Sequence, residues 1–309
     1  MQAARCLAAS LIAIASFSVT HARSWNVEDF GSKGDSQTLN TAAIQEAIDT
    51  CSQAGGGEVL ISEGIHVSGT ILLKDGVTLV IHEHATLLGS ENPADYQSID
   101  IFVDGSGQER GKCLIGALDA KDVGLAGSGT IDGRGASFKR DKIAKTLEKA
   151  GIDRSQLGKL AANRPFLLRF VRSRNIKIRD ISLRQPAAWT CHFFQCDKII
   201  VDGISIHGHA HENNDGIDVD SSSRVRIRDC RIDTGDDAIC MKSTSPVPTH
   251  DVYIDNCTLK SDWGALKFGT ESMGDYHDIT IQNCRIHDTK GGGIKIFSVD
   301  GAHVRDITI

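Results

Sequence analysis

Three aspartates in two short segments are the residues of this sequence whose types and spacing could do chemistry. Asp215 lies in the segment 213–216, and Asp236 and Asp237 lie in the segment 235–238. An acid and a base held side by side can protonate a leaving group and activate a water molecule. Clustered carboxylates do not all ionise easily, so one of the three keeps its proton near neutral pH. The pattern therefore predicts acid–base catalysis without a metal.

Apolar residues that follow the aspartates repeat in register. When four segments are aligned, two apolar columns appear: Ile217, Ile239, Leu266 and Ile294 in one, and Val219, Met241, Phe268 and Ile296 in the other. In this alignment the aspartates precede successive copies of one short strand. We therefore expect them to lie on neighbouring repeats.

A second repeat runs between these segments and fixes the period. Each copy reads apolar-x-apolar-x-x-apolar or Cys-x-apolar, where x is any residue. The copies begin at Ile176, Ile199, Val225, Val252 and Ile279. The starts are 23, 26, 27 and 27 residues apart. Short β-branched strands at a nearly fixed period indicate a solenoid. The predicted fold is all-β, a right-handed parallel β-helix with about three strands per coil.

Composition agrees with one large domain over residues 23–309. The chain has 309 residues, of which 40% are hydrophobic, enough for one continuous core. Its formal charge is −6, and the basic residues are scattered along the chain. Nothing here indicates a nucleic-acid partner.

Residues 1–22 resemble a secretory signal peptide. Arg5 is followed by an apolar run over 7–17 and by a small-residue cleavage site ending at Ala22. The run is short for a membrane span. We expect an exported protein, periplasmic or extracellular, with no membrane segment once the signal is removed.

Exported proteins can form disulfides, and the positions of the cysteines predict which of them stay free and which could pair. Cys230, Cys257 and Cys284 fall in columns that hold Ile in other coils, which predicts an inward ladder of free thiols. Cys191 and Cys196 are the more probable disulfide pair.

Other segments depart from the repeat. A helix from Asn40-Thr41 through Thr50 is expected to cap the first coil. Charged residues at about 138–160 predict a helical insertion, either over the substrate face or as a mobile charged decoration. Residues 304–309 begin another copy of the strand motif, so we expect further coils and a C-terminal cap to be missing from this sequence.

The motifs together resemble glycoside hydrolase family 28, the polygalacturonases, in the pectin-lyase-like β-helix superfamily. The resemblance extends from DFGSKGD through GGGEVLISEG to VRDITI, and includes Asn-x-Asp at 213–215 and Gly-Asp-Asp at 235–237. It implies Asn213 as a substrate-binding residue, Asp236 as the general acid, and Asp215 and Asp237 as the residues that orient and deprotonate water. It also implies inverting hydrolysis, with acid and base roughly 6.5–9.5 Å apart.

Two other family motifs are altered. Asp262-Trp263-Gly264 stands where the family has Gly-His-Gly, so the histidine that supports the acid is absent there. His207, His209 and His211 are nearby candidates for its role, and Trp263 could stack on a sugar or pack under a loop. Lys295-Ile296-Phe297 replaces Arg-Ile-Lys, the pair that binds the substrate carboxylate.

The alignment offers a substitute for that pair. Lys267 and Lys295 share one offset on successive coils and point away from the core. Stacked ammonium groups repel unless an anion lies between them, and a uronate carboxylate would fit. We expect these two lysines to form the acid-sugar subsite, with Lys242 a weaker candidate. Asp218 and Asp220 are expected to form an outward, solvated row.

Three functions remain open from the sequence. The first is a glycosidase acting on an acidic polysaccharide of the plant-cell-wall type, as a monomer and without a cofactor. The second is a polysaccharide lyase, in which the three aspartates would bind Ca²⁺. The third is a non-catalytic carbohydrate-binding β-helix.

Overall fold

The repeating unit of the structure is a coil of three short strands, each in a different parallel sheet. The computed structural model describes residues 23–104, 107–151 and 153–309, so the predicted signal peptide lies outside the described residues. Adjacent strands of each sheet belong to successive coils, as a parallel β-helix requires. The predicted fold class is confirmed.

The three sheets, called A, B and C here, take one strand each from a coil. The strands of sheet A are Ser24–Asn26, Gly57–Ile61, Val77–Ile81, Gly124–Ala126, Arg174–Arg179, Asp197–Asp202, Ser223–Arg228, Thr249–Asp255, Tyr276–Gln282 and Val304–Thr308. Those of sheet B are Asp35–Leu39, Gly64–Ser68, Ala85–Gly89, Thr130–Asp132, Ser182–Arg184, Ser205–Gly208, Arg231–Thr234, Thr258–Ser261 and Arg285–Ile286. Those of sheet C are Ile71–Leu72, Glu109–Leu118, Phe166–Val171, Cys191–Phe194, Ile217–Asp220, Ile239–Ser243, Leu266–Ser272 and Ile294–Ile296.

Apolar columns predicted from the sequence form the core. Ile176 pairs with Ile199 in the neighbouring strand, and Val225 pairs with Val252 in the same way. These side chains are almost fully buried because strand alternation turns every second one inward. Stacking therefore buries a continuous core that one coil could not bury alone.

Residues with a left-handed backbone conformation form a column at the corner between sheets A and B. Asp180, Gly203, Asp229, Asn256 and Asn283 all have positive φ, between 51° and 67°. Asp, Asn and Gly tolerate this left-handed conformation better than other residues, so the corner recurs wherever they recur. Neighbouring corners are also bonded, as where the Asn256 amide donates to Asp229 at 2.6 Å.

Helix α1, Thr41–Gln53, covers the first coil, as predicted. It buries Ile44, Ala47, Ile48 and Cys51 in the main core. The helix extends three residues beyond the predicted end at Thr50. Asn40 precedes it but does not bond its first turn, because its side chain instead accepts from the Lys33 backbone N–H at 2.7 Å.

Two features project from the coils near the aspartates. Helices α2, Arg140–Ala150, and α3, Leu157–Ala162, lie in the segment where the sequence indicates an insertion. Strand Ser98–Val103 pairs antiparallel with the sheet C strand Glu109–Leu118, and the two form a hairpin. The described residues contain no helix with the length and apolarity needed to cross a membrane.

The cysteine predictions have mixed outcomes. Cys230 and Cys257 are buried in the core and Cys284 is partly buried against it, as the ladder requires. Cys191 and Cys196 are both free thiols, so the predicted pair is wrong. A strand rises about 3.3 Å per residue. The strand Cys191–Phe194 alone therefore carries the chain beyond the roughly 7 Å that a disulfide spans between Cα atoms.

Candidate active site

The turns that lead into sheet C bring the three aspartates together. Ile217 pairs with Ile239 in neighbouring strands, and Asp215 and Asp237 each lie two residues before these partners. Asp236 lies beside them, and one carboxylate oxygen from each aspartate lies within 4.8 Å of the other two. All three line a cavity of about 240 Å³, together with Asn213 and Trp189.

Burial controls the protonation of this cluster. Asp215 and Asp237 are almost fully buried, and Asp236 is partly exposed. Burial raises the pKa of Asp215 well above its usual range, with Asp218 and Asp236 adding repulsion. Burial and the neighbouring Asp237 also raise the pKa of Asp236. The geometry therefore provides carboxyl groups that can keep a proton near neutral pH.

Two buried lysines balance part of the negative charge. Lys267 Nζ donates to Asp237 Oδ2 at 2.7 Å. Lys242 Nζ lies 3.9 Å from Asp215, 3.8 Å from Asp218 and 3.3 Å from Glu271, and 4.5 Å from the centre of the Trp189 ring. Burial acts to lower the pKa of each lysine, but the surrounding acidic groups outweigh it and raise the pKa. Both lysines therefore stay charged.

Asp218 and Asp220 are fully buried, so the expectation of a solvated row is wrong. They do point away from the solenoid interior, but other groups cover that face. Asp220 accepts hydrogen bonds from the Thr244 N–H at 2.8 Å and the Thr244 hydroxyl at 2.7 Å, and lies 3.1 Å from His192 Nε2. Asp218 faces Lys242, and burial raises its pKa well above the usual range.

His192 extends this polar layer toward the hairpin. Arg169 donates to His192 Nδ1, which leaves Nε2–H to donate to Asp220. Arg169 also donates to the Asp100 carbonyl at 2.7 Å and lies 4.7 Å from the centre of the Phe102 ring. A nitrogen that accepts from a guanidinium carries no proton, so the imidazole is neutral. Burial also favours the neutral imidazole, because it lowers the pKa of His192 to about 4.

The predicted substrate-binding residues have separate surroundings. Asn213 lines the cavity and accepts from Arg164 at 3.0 Å. Lys267 and Lys295 are neighbours in register, but Asp237 already engages Lys267, while Lys295 Nζ lies 3.7 Å from the centre of the Trp263 ring. Trp263 is 52% exposed. His211 lines a neighbouring pocket instead of the aspartate cavity.

The other histidines considered from the sequence also lie outside the cavity. His209 Nε2 lies 2.8 Å from Asp233, and His207 Nδ1 lies 3.7 Å from the same carboxylate. Lys260 Nζ also lies 3.3 Å from Asp233, so this carboxylate is the common partner of all three side chains. The structure brings neither histidine to Asp236.

Comparison with known proteins decides the family. Residues 51–308 match glycosyl hydrolases family 28. The chain belongs to this family.

Relatives within the family include plant and bacterial proteins. A probable polygalacturonase of Vitis vinifera is 31% identical over 93% of this chain, and an exo-poly-alpha-D-galacturonosidase of Dickeya chrysanthemi is 28% identical over 84%. The chain spans 60% and 49% of the lengths of these two relatives. The structure of a family 28 exopolygalacturonase from Yersinia enterocolitica superposes with a TM-score of 0.77 at 25% identity, over 94% of this chain and 58% of that one.

One carboxylate oxygen of each aspartate in this family 28 site lies within 4.8 Å of the other two, whereas the roughly 6.5–9.5 Å of inverting enzymes separates whole carboxyl groups. Spacing alone therefore does not identify the stereochemical outcome. The sequence analysis also missed Asp104, Trp189, Thr270 and Glu271 as cavity residues. Trp189 was detectable, because it occupies the column of Asp215 one coil earlier.

Proposed function

We propose that this family 28 protein is a metal-free glycoside hydrolase that cleaves glycosidic bonds in pectic, galacturonate-containing polysaccharide. The observation that carries the proposal is the convergence of Asp215, Asp236 and Asp237 on one cavity, with a buried lysine beside each of the two most buried acids. The names of the relatives support galacturonan as the substrate class.

The roles of the acids follow from their neighbours. Asp236 is the most exposed of the three, and within the described part of the chain no ammonium group lies within 4.0 Å of it. Its pKa is raised by burial and by Asp237, so it can carry a proton to the leaving oxygen and act as the general acid. Lys242 lowers the pKa of Asp215 against the larger effect of burial, and Asp237 accepts a hydrogen bond from Lys267. These two acids are therefore assigned to orient and deprotonate the attacking water, as the family resemblance implies.

Trp263 and Lys295 supply a surface for the substrate beside the acids. The exposed indole offers a ring on which a sugar can stack, and the Lys295 ammonium offers a charge for a uronate carboxylate. Asn213 is assigned to hydrogen bonds with a sugar hydroxyl in the cavity. Lys267, which the sequence also favours as a uronate ligand, is engaged by Asp237 and is proposed here to act mainly through that acid.

The lyase alternative is less favoured by the site. A lyase would bind Ca²⁺ through the three aspartates, whose oxygens are close enough to share an ion. The ammonium groups of Lys242 and Lys267 already neutralise part of that charge and would repel a divalent cation. Family membership favours hydrolysis as well.

One experiment separates the three functions. The purified protein is incubated with pectic oligosaccharides while reducing ends, ultraviolet absorbance and the product anomer are followed. Hydrolysis predicts new reducing ends without unsaturated product, and the inverting outcome implied by the resemblance predicts a product anomer opposite to the substrate linkage. Unsaturated product that a chelator abolishes would establish a lyase, and binding without cleavage would establish a carbohydrate-binding protein.

We further infer that the protein is exported and acts in the periplasm or outside the cell. The support is the signal-like sequence of residues 1–22, together with a polymeric substrate of the cell-wall type. N-terminal sequencing of the protein recovered from cell fractions tests this inference. A mature form that begins near Arg23 is the expected result, and retention of Met1 in the cytoplasm would contradict it.

A further inference from the structure

A second cavity, of about 650 Å³, adjoins the aspartate cavity. We call it the insertion pocket; it is lined in part by Phe138, Arg140, His211, Glu212 and Gly235. Two turns line both cavities. Glu212 and Gly235 line the insertion pocket, and the residues that follow them, Asn213 and Asp236, line the aspartate cavity. Consecutive Cα atoms are about 3.8 Å apart, so a substrate over the acids would reach the pocket directly.

The insertion supplies the outer wall of this pocket. Phe138, Lys139 and Arg140 come from the start of the insertion, and Ala161 comes from α3. Arg164 connects the wall to the catalytic turn, because its guanidinium donates to the Glu212 carbonyl at 3.1 Å and to Asn213 Oδ1 at 3.0 Å. Phe138 is buried against Tyr96, with ring centres 5.5 Å apart. The pocket is therefore a built part of the fold.

Its charges favour an anion. Lys139 and Arg140 are exposed, and neither has an ion-pair partner within 4.0 Å in the described ranges. On the opposite wall, Asp262 is already paired with Lys290 at 2.9 Å. Glu212 is the remaining acid of the lining, against Lys139, Arg140 and the buried Arg164. The pocket therefore carries an excess of positive charge.

Its remaining surface suits a sugar ring. His209 Nδ1 can bond a sugar hydroxyl, since Asp233 engages only the Nε2 of this ring. His211 Nδ1 already accepts the Glu212 N–H at 2.7 Å, and burial lowers the pKa of His211 to about 4, so this imidazole is neutral near pH 7. The small side chains of Ala161 and Ala210 supply apolar contact. A volume of about 650 Å³ lies within the range of small-molecule binding sites, roughly 300–1,000 Å³.

We propose that the insertion pocket is a subsite for a uronate residue of the substrate, one or more sugars away from the bond that is cleaved. Lys139 and Arg140 bind its carboxylate, and His209 binds one of its hydroxyl groups. This inference rests on the proposed function and adds a recognition role for the helical insertion.

A matched pair of double variants tests the subsite. K139A/R140A removes the two rim cations, and K142A/K145A removes two exposed cations of the same helix that do not line the pocket. KM and kcat are measured on galacturonide oligomers from dimer to hexamer. A charged hydrogen bond contributes about 1.5–3 kcal/mol, so K139A/R140A should raise KM for the longer oligomers by about tenfold or more. Its kcat, its KM for the dimer and all constants of K142A/K145A should stay near wild type.

Binding measurements separate this inference from the proposed function. Calorimetry of the D236N variant with hexamer and with carboxyl-reduced hexamer reports affinity without turnover. The subsite requires tighter binding of the charged hexamer, and a smaller preference when K139A/R140A is added, since Lys295 still favours a uronate. An undiminished preference would overturn it. Equal affinities would overturn the subsite even if wild type hydrolyses pectin. Absence of hydrolysis by wild type, with the preference retained, would overturn the proposed function and leave the subsite standing.

Discussion

Asp215 and Asp237 occupy the same position on successive coils, and each faces a different buried lysine. Their strands are in register through Ile217 and Ile239. Lys242 lies 3.9 Å from Asp215, and Lys267 lies 2.7 Å from Asp237. Asp236 instead accepts the backbone N–H of Asp237 at 3.0 Å. Asp236 therefore differs from Asp215 and Asp237 in having no adjacent ammonium group among the described residues.

The D236N variant should lose catalysis while keeping its fold. An amide cannot donate the proton that the leaving oxygen requires, and general acid catalysis contributes about 10²–10⁴-fold. We expect kcat on galacturonan to fall by that factor, with an unchanged circular dichroism spectrum and melting temperature. A variant within about tenfold of wild-type kcat would remove Asp236 from the acid role.

Lys242 should be important for stability as well as activity. Replacing it with Met leaves Asp215 and Asp218 buried without their cation, and removing one partner of a buried pair costs about 3–5 kcal/mol. Urea unfolding should show a loss of that size for K242M. The control is K260M, because the Lys260–Asp233 pair is partly exposed and should contribute less than about 1 kcal/mol. Equal losses in the two variants would contradict the assignment.

The coils themselves could be predicted from sequence because their signal is local and repeated. Every copy of the strand motif has Ile, Val or Leu at positions whose side chains point into the core. Columns such as Ile176 and Ile199 could therefore be aligned without coordinates. The same alignment placed Asp215 and Asp237 on neighbouring coils, as the structure shows.

The outward face of sheet C could not be predicted in this way. Alternation shows that Asp218 and Asp220 point away from the core, but not what covers them. The cover comes from Thr244, Lys242 and, through His192, the hairpin that carries Asp100. His192 and Lys242 lie in repeating strands of sheet C, but the hairpin that carries Asp100 has no repeat to reveal it.

Stability should depend on the protonation of His192. Its pKa is about 4 in the folded protein because of burial, whereas an unfolded histidine has a pKa near 6.5. Between these values the unfolded chain binds a proton that the folded chain does not, so stability falls as pH decreases from 6.5 toward 4. The difference between these two pKa values corresponds to about 3 kcal/mol.

This dependence can be isolated with the H192N variant. Unfolding free energies of wild type and H192N are measured in urea between pH 4 and pH 7, and their difference is plotted against pH. Titration of groups that do not contact His192, including His211, is common to both proteins and cancels. Asp220, whose pKa His192 helps to lower, is the contacting acid, and the D220N background removes its contribution. The stability of wild type relative to H192N should decrease toward pH 4, and a difference independent of pH would show that His192 is not held neutral.

Gly264 should be required for the position of Asp237. A Cβ at this residue would lie 2.8 Å from Asp237 Oδ1 and 3.3 Å from Lys295 Cδ, so an alanine must displace the carboxylate. We expect G264A to lower kcat by more than about tenfold, since misplacement of a reacting group by about 1 Å can cost 10²-fold. G293A is the control, because its Cβ would meet only Ile286 at 3.7 Å. Similar kcat values for the two variants would refute this requirement.

The two lysines that are adjacent in register, Lys267 and Lys295, should affect different kinetic constants. Lys267 donates to Asp237, so K267A should lower kcat on charged and neutral substrates alike. Lys295 lies over the exposed Trp263 ring, so K295A should raise KM for oligogalacturonides far more than for a neutral glycoside and leave kcat nearly unchanged. Steady-state kinetics on an oligogalacturonide and its carboxyl-reduced counterpart measures both effects. If both variants raised KM for the charged substrate alone, the two lysines would form one carboxylate site, and the separate role of Lys267 would be wrong.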